Sequence, residues 1–107
     1  MLSPAPARKK AEAVVVLKLP AVLTHDQANA CVHSLQLALQ ALAADGQPVV
    51  LDAGGLTRFD SSALAVLLAC RRQAQALGRA FYVRDMPPRL RQLAGLYGIA
   101  SLIPSAP

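Results

Sequence analysis

The chain has 107 residues, of which 54% are apolar and 16% are charged, and it carries a net charge of +5. This length and balance are typical of one small globular domain with its own core, and they exclude a disordered protein. The positive charge favours acidic partners, but no basic helix or nucleic-acid motif accompanies it, so we expect no nucleic-acid binding. The longest apolar run, 63–70, is much too short to cross a bilayer, so we expect no direct membrane span.

The chain begins with a stretch whose composition does not favour a packed structure. Residues 1–12 are rich in alanine and proline and then become basic. This composition predicts a flexible basic tail ahead of a single domain at 13–107. The β-branched run 13–17 predicts a first strand, which Pro20 ends because proline cannot donate to a strand ladder.

A capping signal and apolar spacing together predict the first helix. It follows Val22-Leu23, a candidate for a short second strand. Thr24 and Gln27 have the separation of a capping box, in which two side chains satisfy free amides at a helix start. Asp45-Gly46 marks the end of the helix. Its buried stripe is expected to consist of Ala28, Cys31, Val32, Leu35, Leu39 and Leu42.

Strands and helices alternate through the middle of the chain. A short buried strand is expected at 48–52, followed by a loop at 53–60. A long apolar helix is expected at 61–77, with Gly78 at the position after its C-cap. The β-branched and aromatic residues of 80–84 then predict another strand.

The last third of the chain predicts a third helix. Met86-Pro87-Pro88 opens it, because proline is favoured in a first helical turn, and Asp85 is the candidate N-cap. Gly98 ends the helix, and Ile99 is expected to make a hydrophobic contact after the cap. The buried stripe of the third helix is expected to consist of Leu90, Leu93, Ala94 and Tyr97.

The alternation of strands and helices along the chain predicts an α/β fold, with a small mostly parallel sheet packed with three to four helices.

The carboxylates and histidines lack the neighbours that a metal site would need. Asp52 and Asp60 flank a loop at the C-terminal end of a strand, where α/β sheets commonly bind ligands. A metal or phospho-aspartate site would need further acidic residues and a lysine, so we expect a loop role for Asp52 and a helix-cap role for Asp60. His25 and His33 have no cysteine or carboxylate at ligand spacing. We therefore expect no metal ion.

The chain also lacks the motifs of common enzyme classes. Gly54-Gly55 does not extend into a nucleotide-binding loop. Ser61 and Ser62 are not in a nucleophile-elbow motif, and both histidines precede them in the chain. Cys31 and Cys70 lie in apolar helical surroundings, which predicts buried, reduced thiols. We therefore expect no catalytic residues and no cofactor.

The sequence Asp60-Ser61-Ser62 is the strongest functional signal. It stands where a loop ends and a helix begins, so free amides and the helix dipole favour a hydroxyl or a phosphate there. One serine is enough to cap the helix. The second hydroxyl, with Arg58 nearby, is therefore available to a partner, and a phosphate on Ser61 or Ser62 would change what can dock.

We call Asp60-Ser61-Ser62, where the loop meets the helix, the corner. The sequence around this corner resembles the STAS domain family, which includes anti-anti-sigma factors and the cytoplasmic tails of sulfate transporters. The resemblance rests on Asp60-Ser61-Ser62-Ala63-Leu64, on the strand 49–52 before it and on the long helix after it. It extends over 13–104 and includes the strand 80–83 and the ending 90–99. It implies a STAS fold and a non-enzymatic protein that binds a partner through the start of its second helix.

Within the family, the short chain and its Leu-Ala-Gly-Leu-Tyr-Gly-Ile ending are most similar to small STAS subunits of phospholipid ABC transporters in Gram-negative bacteria. Such a subunit supports the transporter ATPase and, through it, outer-membrane lipid asymmetry. The resemblance implies a cytoplasmic protein held at the inner membrane by that ATPase, with Ser61 as an important residue. The expected partner-binding residues are Arg58, Asp60, Ser61, Ser62, Ala63, Leu64 and Arg71.

The same resemblance leaves a second function open. In anti-anti-sigma factors the serine at the position of Ser62 is phosphorylated, and the partners are an anti-sigma factor and a serine kinase. One departure concerns both functions, because the family commonly has glycine where this chain has Ala63. Alanine is small, so close approach of a partner remains compatible with it.

Overall fold

The computed structural model describes residues 14–41 and 46–106. The tail expected at 1–12 lies outside the described residues, as do Leu42 and Asp45 near the end of the first helix. The expected α/β class is confirmed. In chain order the elements are β1 (Val15–Lys18), β2 (Val22–Leu23), α1 (His25–Ala41), β3 (Val49–Asp52), β4 (Arg58–Phe59), α2 (Ser62–Ala76), β5 (Phe81–Arg84), α3 (Pro88–Leu96) and a 3₁₀ helix (Ala100–Leu102).

Within the described residues, the main sheet has three parallel strands in the order β1-β3-β5. The register places Val49 between Val15 and Phe81. After the 3₁₀ helix the chain returns to the outer side of β5, where Val83 donates its amide to the Pro104 carbonyl at 2.8 Å and accepts from Ala106 at 2.9 Å. This last pairing was not expected from the sequence, and it covers one of the two edges of the sheet.

The core lies between one face of this sheet and the helices. Because side chains alternate along a strand, Val49 and Leu51 point to the same face, and both are fully buried. The helices α1 and α2 pack against each other above that face. Leu39 from α1 and Leu67 from α2 are completely buried there, and each such side chain contributes about 1.5–3 kcal/mol through its burial.

A second, two-stranded sheet holds the segment expected to be a loop. Residues 53–60 were expected to have no regular structure, but β4 pairs in parallel with β2, with Val22 opposite Arg58 and Leu23 opposite Phe59. The candidate strand Val22-Leu23 is therefore confirmed, and the loop prediction is wrong at its last residues. The two residues Arg58-Phe59 carry too little periodicity to be recognised as a strand in the sequence.

The start of α1 confirms the capping signal in part. The Thr24 amide donates to Gln27 Oε1 at 2.9 Å, which is one half of a capping box. The reciprocal bond from the Gln27 amide reaches the Thr24 backbone carbonyl at 3.0 Å, while the Thr24 hydroxyl donates to Gln27 Oε1 at 2.7 Å. Gln27 thus anchors both the main chain and the side chain of Thr24.

The helices α2 and α3 end in the same way. Gly78 and Gly98 have φ values of +71° and +69°, which a side chain would disfavour. Beyond them, Arg79 and Ile99 donate their amides to carbonyls five residues back, Ala74 and Ala94, at 2.9 and 3.0 Å. This is the Schellman pattern that the glycines predict.

Two expectations about α3 are wrong. Asp85 does not cap the helix: the N-cap is Pro87, which has no side-chain capping bond, and Asp85 takes a left-handed φ of +56°. Tyr97 is 60% exposed and does not continue the buried stripe, which consists of Leu90 and Ala94 with Leu93 half-buried. The stripe ends because Tyr97 is already the C-cap residue.

Candidate functional site

The pairing of β4 with β2 builds the corner that the sequence singles out. The amides of Thr57 and Arg58 both donate to the Ala21 carbonyl, at 2.8 and 3.1 Å. The Thr57 hydroxyl donates to the same carbonyl oxygen at 3.2 Å. This attachment holds the end of the 53–60 segment against the chain that leads into α1. As a result, the N-terminal ends of α1 and α2 lie side by side.

Asp60 binds the N-terminal ends of both helices with one carboxylate. Its Oδ1 accepts the Ser62 amide of α2 at 2.8 Å, and its Oδ2 accepts the His25 amide of α1 at 3.1 Å. The Ser62 amide is the main cause that lowers the pKa of Asp60, and the His25 amide adds to it. The carboxylate therefore stays ionised at neutral pH and neutralises the positive ends of two helix dipoles.

Neither serine caps α2 through its side chain. Ser61 occupies the N-cap position but has helical backbone angles (φ −64°, ψ −15°) and makes no side-chain capping bond. The expectation that a serine caps the helix is therefore wrong, and the expected cap role of Asp60 is confirmed. Because the carboxylate does the capping, the exposed Ser61 hydroxyl is left to face solvent or a partner. The Ser62 hydroxyl is half-buried and contributes to the low pKa of Asp60.

The other residues expected at the corner are not equally accessible. Arg58 is exposed, whereas Ala63 is fully buried and Leu64 is 3% exposed. The buried pair belongs to the core and supports the corner from beneath. Arg71 is half-buried and lies ten residues beyond Ser61, which corresponds to about 15 Å along a helix. A partner that reaches both residues must therefore lie along α2.

The structure adds two residues to the corner that the sequence did not indicate. The Arg89 guanidinium lies over the Phe59 ring, with Cζ 5.8 Å from the ring centroid, which is within the range of a cation–π interaction. His25 joins through its backbone amide. No local pattern could reveal these neighbours, because Arg89 is 30 positions after Phe59 and His25 is 35 positions before Asp60.

Asp52, the second carboxylate considered for chemistry, is part of a structural ion pair. Its Oδ1 accepts the Gly54 amide at 2.9 Å, and its Oδ2 lies 3.1 Å from Arg84 Nη2. The Gly54 amide first, and then Arg84, hold the pKa of Asp52 below its usual value. A Cβ on Gly54 would stand 3.1 Å from Asp52 Oδ1 and 3.2 Å from the Asp85 Cβ. Glycine therefore lets the loop pass between the two aspartates.

The burial predicted for the two thiols is confirmed for Cys70 but not for Cys31. Cys70 is buried, and this burial raises its pKa to about 12. Cys31 is half-buried, and burial raises the pKa of its thiol as well. Both thiols are therefore protonated at neutral pH, which makes them poor nucleophiles. Across 14–41 and 46–106, no three His, Cys, Asp or Glu side chains gather in a way that could hold a metal ion.

None of the helices within the described parts of the chain combines the length and apolar character needed to cross a membrane.

The fold and the corner define the class of the protein. The structure is similar to that of an anti-sigma-factor antagonist (STAS) domain protein from Planctomyces limnophilus, with a TM-score of 0.71 and 20% sequence identity over 88% of this chain and 84% of that chain. At this identity the similarity establishes the fold, which is that of a STAS domain.

The family follows from the sequence match. The model of the family described as "Mlab, STAS domain" matches residues 7–104, so the chain belongs to this STAS family. The resemblance to the STAS domain family inferred from Asp60-Ser61-Ser62 is thereby confirmed. STAS domains are generally binding and regulatory modules that mediate protein–protein interaction.

Proposed function

We propose that the protein is a non-enzymatic subunit of a phospholipid ABC transporter, which binds the transporter's ATPase on the cytoplasmic side of the inner membrane. Two observations support this function. The matched family is described by the name Mlab, and the chain has the Asp60-Ser61-Ser62 corner in a form suited to docking. Through the ATPase, the protein would support phospholipid transport and outer-membrane lipid asymmetry.

The geometry of the corner carries the proposal. Asp60 accepts one amide from each helix, Ser62 of α2 and His25 of α1, so these two donors stay paired when a partner removes water from the corner. The exposed Ser61 hydroxyl can then donate to or accept from a partner group. Arg58 is also exposed, and Arg89 lies over the Phe59 ring. This arrangement suits an acidic or polar edge on the ATPase.

Co-purification tests the proposal. The ATPase subunit encoded with this protein is co-expressed with the tagged wild-type chain, with Ser61→Arg, and with Ser101→Arg as a matched control. Ser101 is an exposed serine in the 3₁₀ helix, outside the corner. We expect the wild type and the control to retain the ATPase and Ser61→Arg to lose it. Equal retention by all three chains would refute the corner as the docking site.

The anti-anti-sigma function is retained as an alternative because of one contact. The Ser62 amide donates to Asp60 Oδ1 at 2.8 Å, so a phosphate on Ser62 would place nearly two negative charges close to the carboxylate that caps two helices. Phosphorylation would thereby disturb the corner and switch binding. Two experiments test this function. The chain is incubated with a serine kinase encoded near this protein, and a Ser62→Asp chain is tested for binding to the candidate partner. Absence of phosphate and unchanged binding would remove it.

A further inference from the structure

The two edges of the main sheet differ in what covers them. The outer edge of β5 pairs with the C-terminal segment through Val83 and Ser105. The outer edge of β1 pairs with no strand among residues 14–41 and 46–106. An uncovered edge presents a row of amides and carbonyls that can pair with another chain.

The register identifies the groups on that edge. Val15 donates its amide to Pro48 at 2.9 Å and Leu19 donates to Asp52 at 3.0 Å, so these amides point towards β3. In a parallel ladder alternate residues point to the same side. The amides and carbonyls of Val16 and Lys18 therefore point outward, away from β3. Val16 also exposes 39% of its side chain.

An apolar groove lies where this edge ends. It has a volume of about 440 Å³ and runs between the end of β1, the chain leading into β2, and one side of α1. Leu19, Val22 and Leu35 contribute apolar surface, and among the described residues Lys18 is the one charged residue that lines the groove. A volume of this size accommodates several aliphatic side chains and falls within the usual range for a binding groove. The other lining residues are Pro20, Gln27, Ala30, Cys31 and Ser34.

We propose that this edge and groove bind an extended aliphatic segment of a partner protein that carries a carboxylate. The segment adds to β1 as an outer strand by pairing with Val16 and Lys18. Its apolar side chains enter the groove against α1, and its carboxylate lies at the Lys18 ammonium. Main-chain pairing supplies affinity in this mode of recognition, and the adjacent groove supplies specificity.

Charge favours this occupant over a second copy of the chain. β1 contains a lysine and no acidic residue, so two β1 strands placed edge to edge would bring no carboxylate to either Lys18. The chain as a whole carries a net charge of +5, which further opposes self-association. A partner segment with an acidic residue supplies the missing carboxylate and is attracted by the positive charge of this chain.

Amide hydrogen exchange on the full chain tests whether the edge is free. We expect the outward amides of Val16 and Lys18 to exchange at least about a hundredfold faster than the bonded amides of Val15 and Leu19, because exchange requires a hydrogen-bonded amide to open first. Protection of Val16 and Lys18 in the isolated protein would show that the edge is already covered. That result would overturn the proposal.

A displayed library of random dodecapeptides tests the occupant without the ATPase, so its outcome is separate from that of the proposed function. We expect enrichment of peptides with alternating aliphatic residues and at least one Asp or Glu. The selected peptides should lose about tenfold or more in affinity towards Val16→Pro, which removes an outward amide, and towards Ser34→Trp, which fills the groove. Lys18→Glu should also weaken them.

Asn29→Trp is the matched control for the groove variant. Asn29 is exposed on α1 and lies about 140° around the helix from Ser34 at 3.6 residues per turn. Circular dichroism and thermal melting establish that each variant is folded before binding is measured. No enrichment, or selected peptides that bind Ser34→Trp and Asn29→Trp equally, would contradict the proposal.

Discussion

The two ends of α2 are closed by different chemistry, and only one of them leaves a hydroxyl outside the domain. At the C-terminal end, Gly78 turns the chain, and Arg79 is 3% exposed and donates from Nε to the Gln47 carbonyl at 2.7 Å. At the N-terminal end, the carboxylate of Asp60 closes α2 and α1 together. The first end uses its polar groups inside the domain, whereas the second leaves the Ser61 hydroxyl outside.

The comparison shows how a helix can be capped and still offer its N-terminus to a partner. If Ser61 capped the helix, its hydroxyl would be occupied, and a partner would have to break the cap in order to bind. With Asp60 as the cap, the hydroxyl is available at no cost to the helix. If the two ends are as independent as the contacts indicate, a change at one end should leave the other end unaffected.

The largest effect is expected at the centre of α2, which supports both ends. Leu67 is completely buried among the sheet and the helices, so Leu67→Ala leaves a cavity. We expect a loss of about 2–5 kcal/mol in the free energy of unfolding, measured by urea denaturation. Exposed Ala65 on the same helix gives the control Ala65→Ser, which should change stability by less than about 0.5 kcal/mol. Similar losses in both variants would contradict the assigned core.

A smaller effect is expected at the C-terminal end. Gly78 has a φ of +71° with open space around it, so Gly78→Ala introduces backbone strain without a steric clash. We expect a loss of about 1–2 kcal/mol in the free energy of unfolding. ATPase binding should stay unchanged in the same variant. If the Gly78→Ala chain is fully folded and still binds the ATPase more weakly than the wild type, the two ends of α2 are coupled.

At the N-terminal end, the expected effect of Asp60→Asn is a change in acid stability. The folded-state pKa of Asp60 is lowered from 3.8, so the ionised carboxylate stabilises the fold fully above that value. This contribution is lost as the pH falls below 3.8 through the lowered pKa. The wild-type chain should therefore lose more stability than Asp60→Asn between pH 5 and about pH 2, as followed by thermal melting. Parallel curves for the two chains would contradict the shared cap.

Much of the fold could be predicted because its signals are local. Three of these signals depend on a few neighbouring residues each. They are the glycines after α2 and α3, the capping pair Thr24 and Gln27, and the alternation of strands and helices. The α/β class and the positions of the main elements follow from them. The family could be identified for the same reason, since its motif Asp60-Ser61-Ser62 is contiguous in the chain.

The rest of the site depends on contacts between distant segments. Asp60 reaches His25, Arg89 reaches Phe59, and β4 pairs with β2 across more than thirty residues. No spacing within one segment encodes such contacts. The wrong cap at Ser61 has the same origin: both Ser61 and Asp60 are good N-caps, and the attachment of the preceding segment to Ala21 brings Asp60 to both helix ends.

Hydrogen exchange of the chain with and without the ATPase subunit tests the central claim most directly, because it reports on both ends of α2 in one experiment. We expect the ATPase to protect the peptide that covers 57–66 and to leave the peptide around Gly78 and Arg79 unchanged. Protection at 76–80 with no change at 57–66 would contradict the assignment of the Asp60-Ser61-Ser62 corner as the docking site.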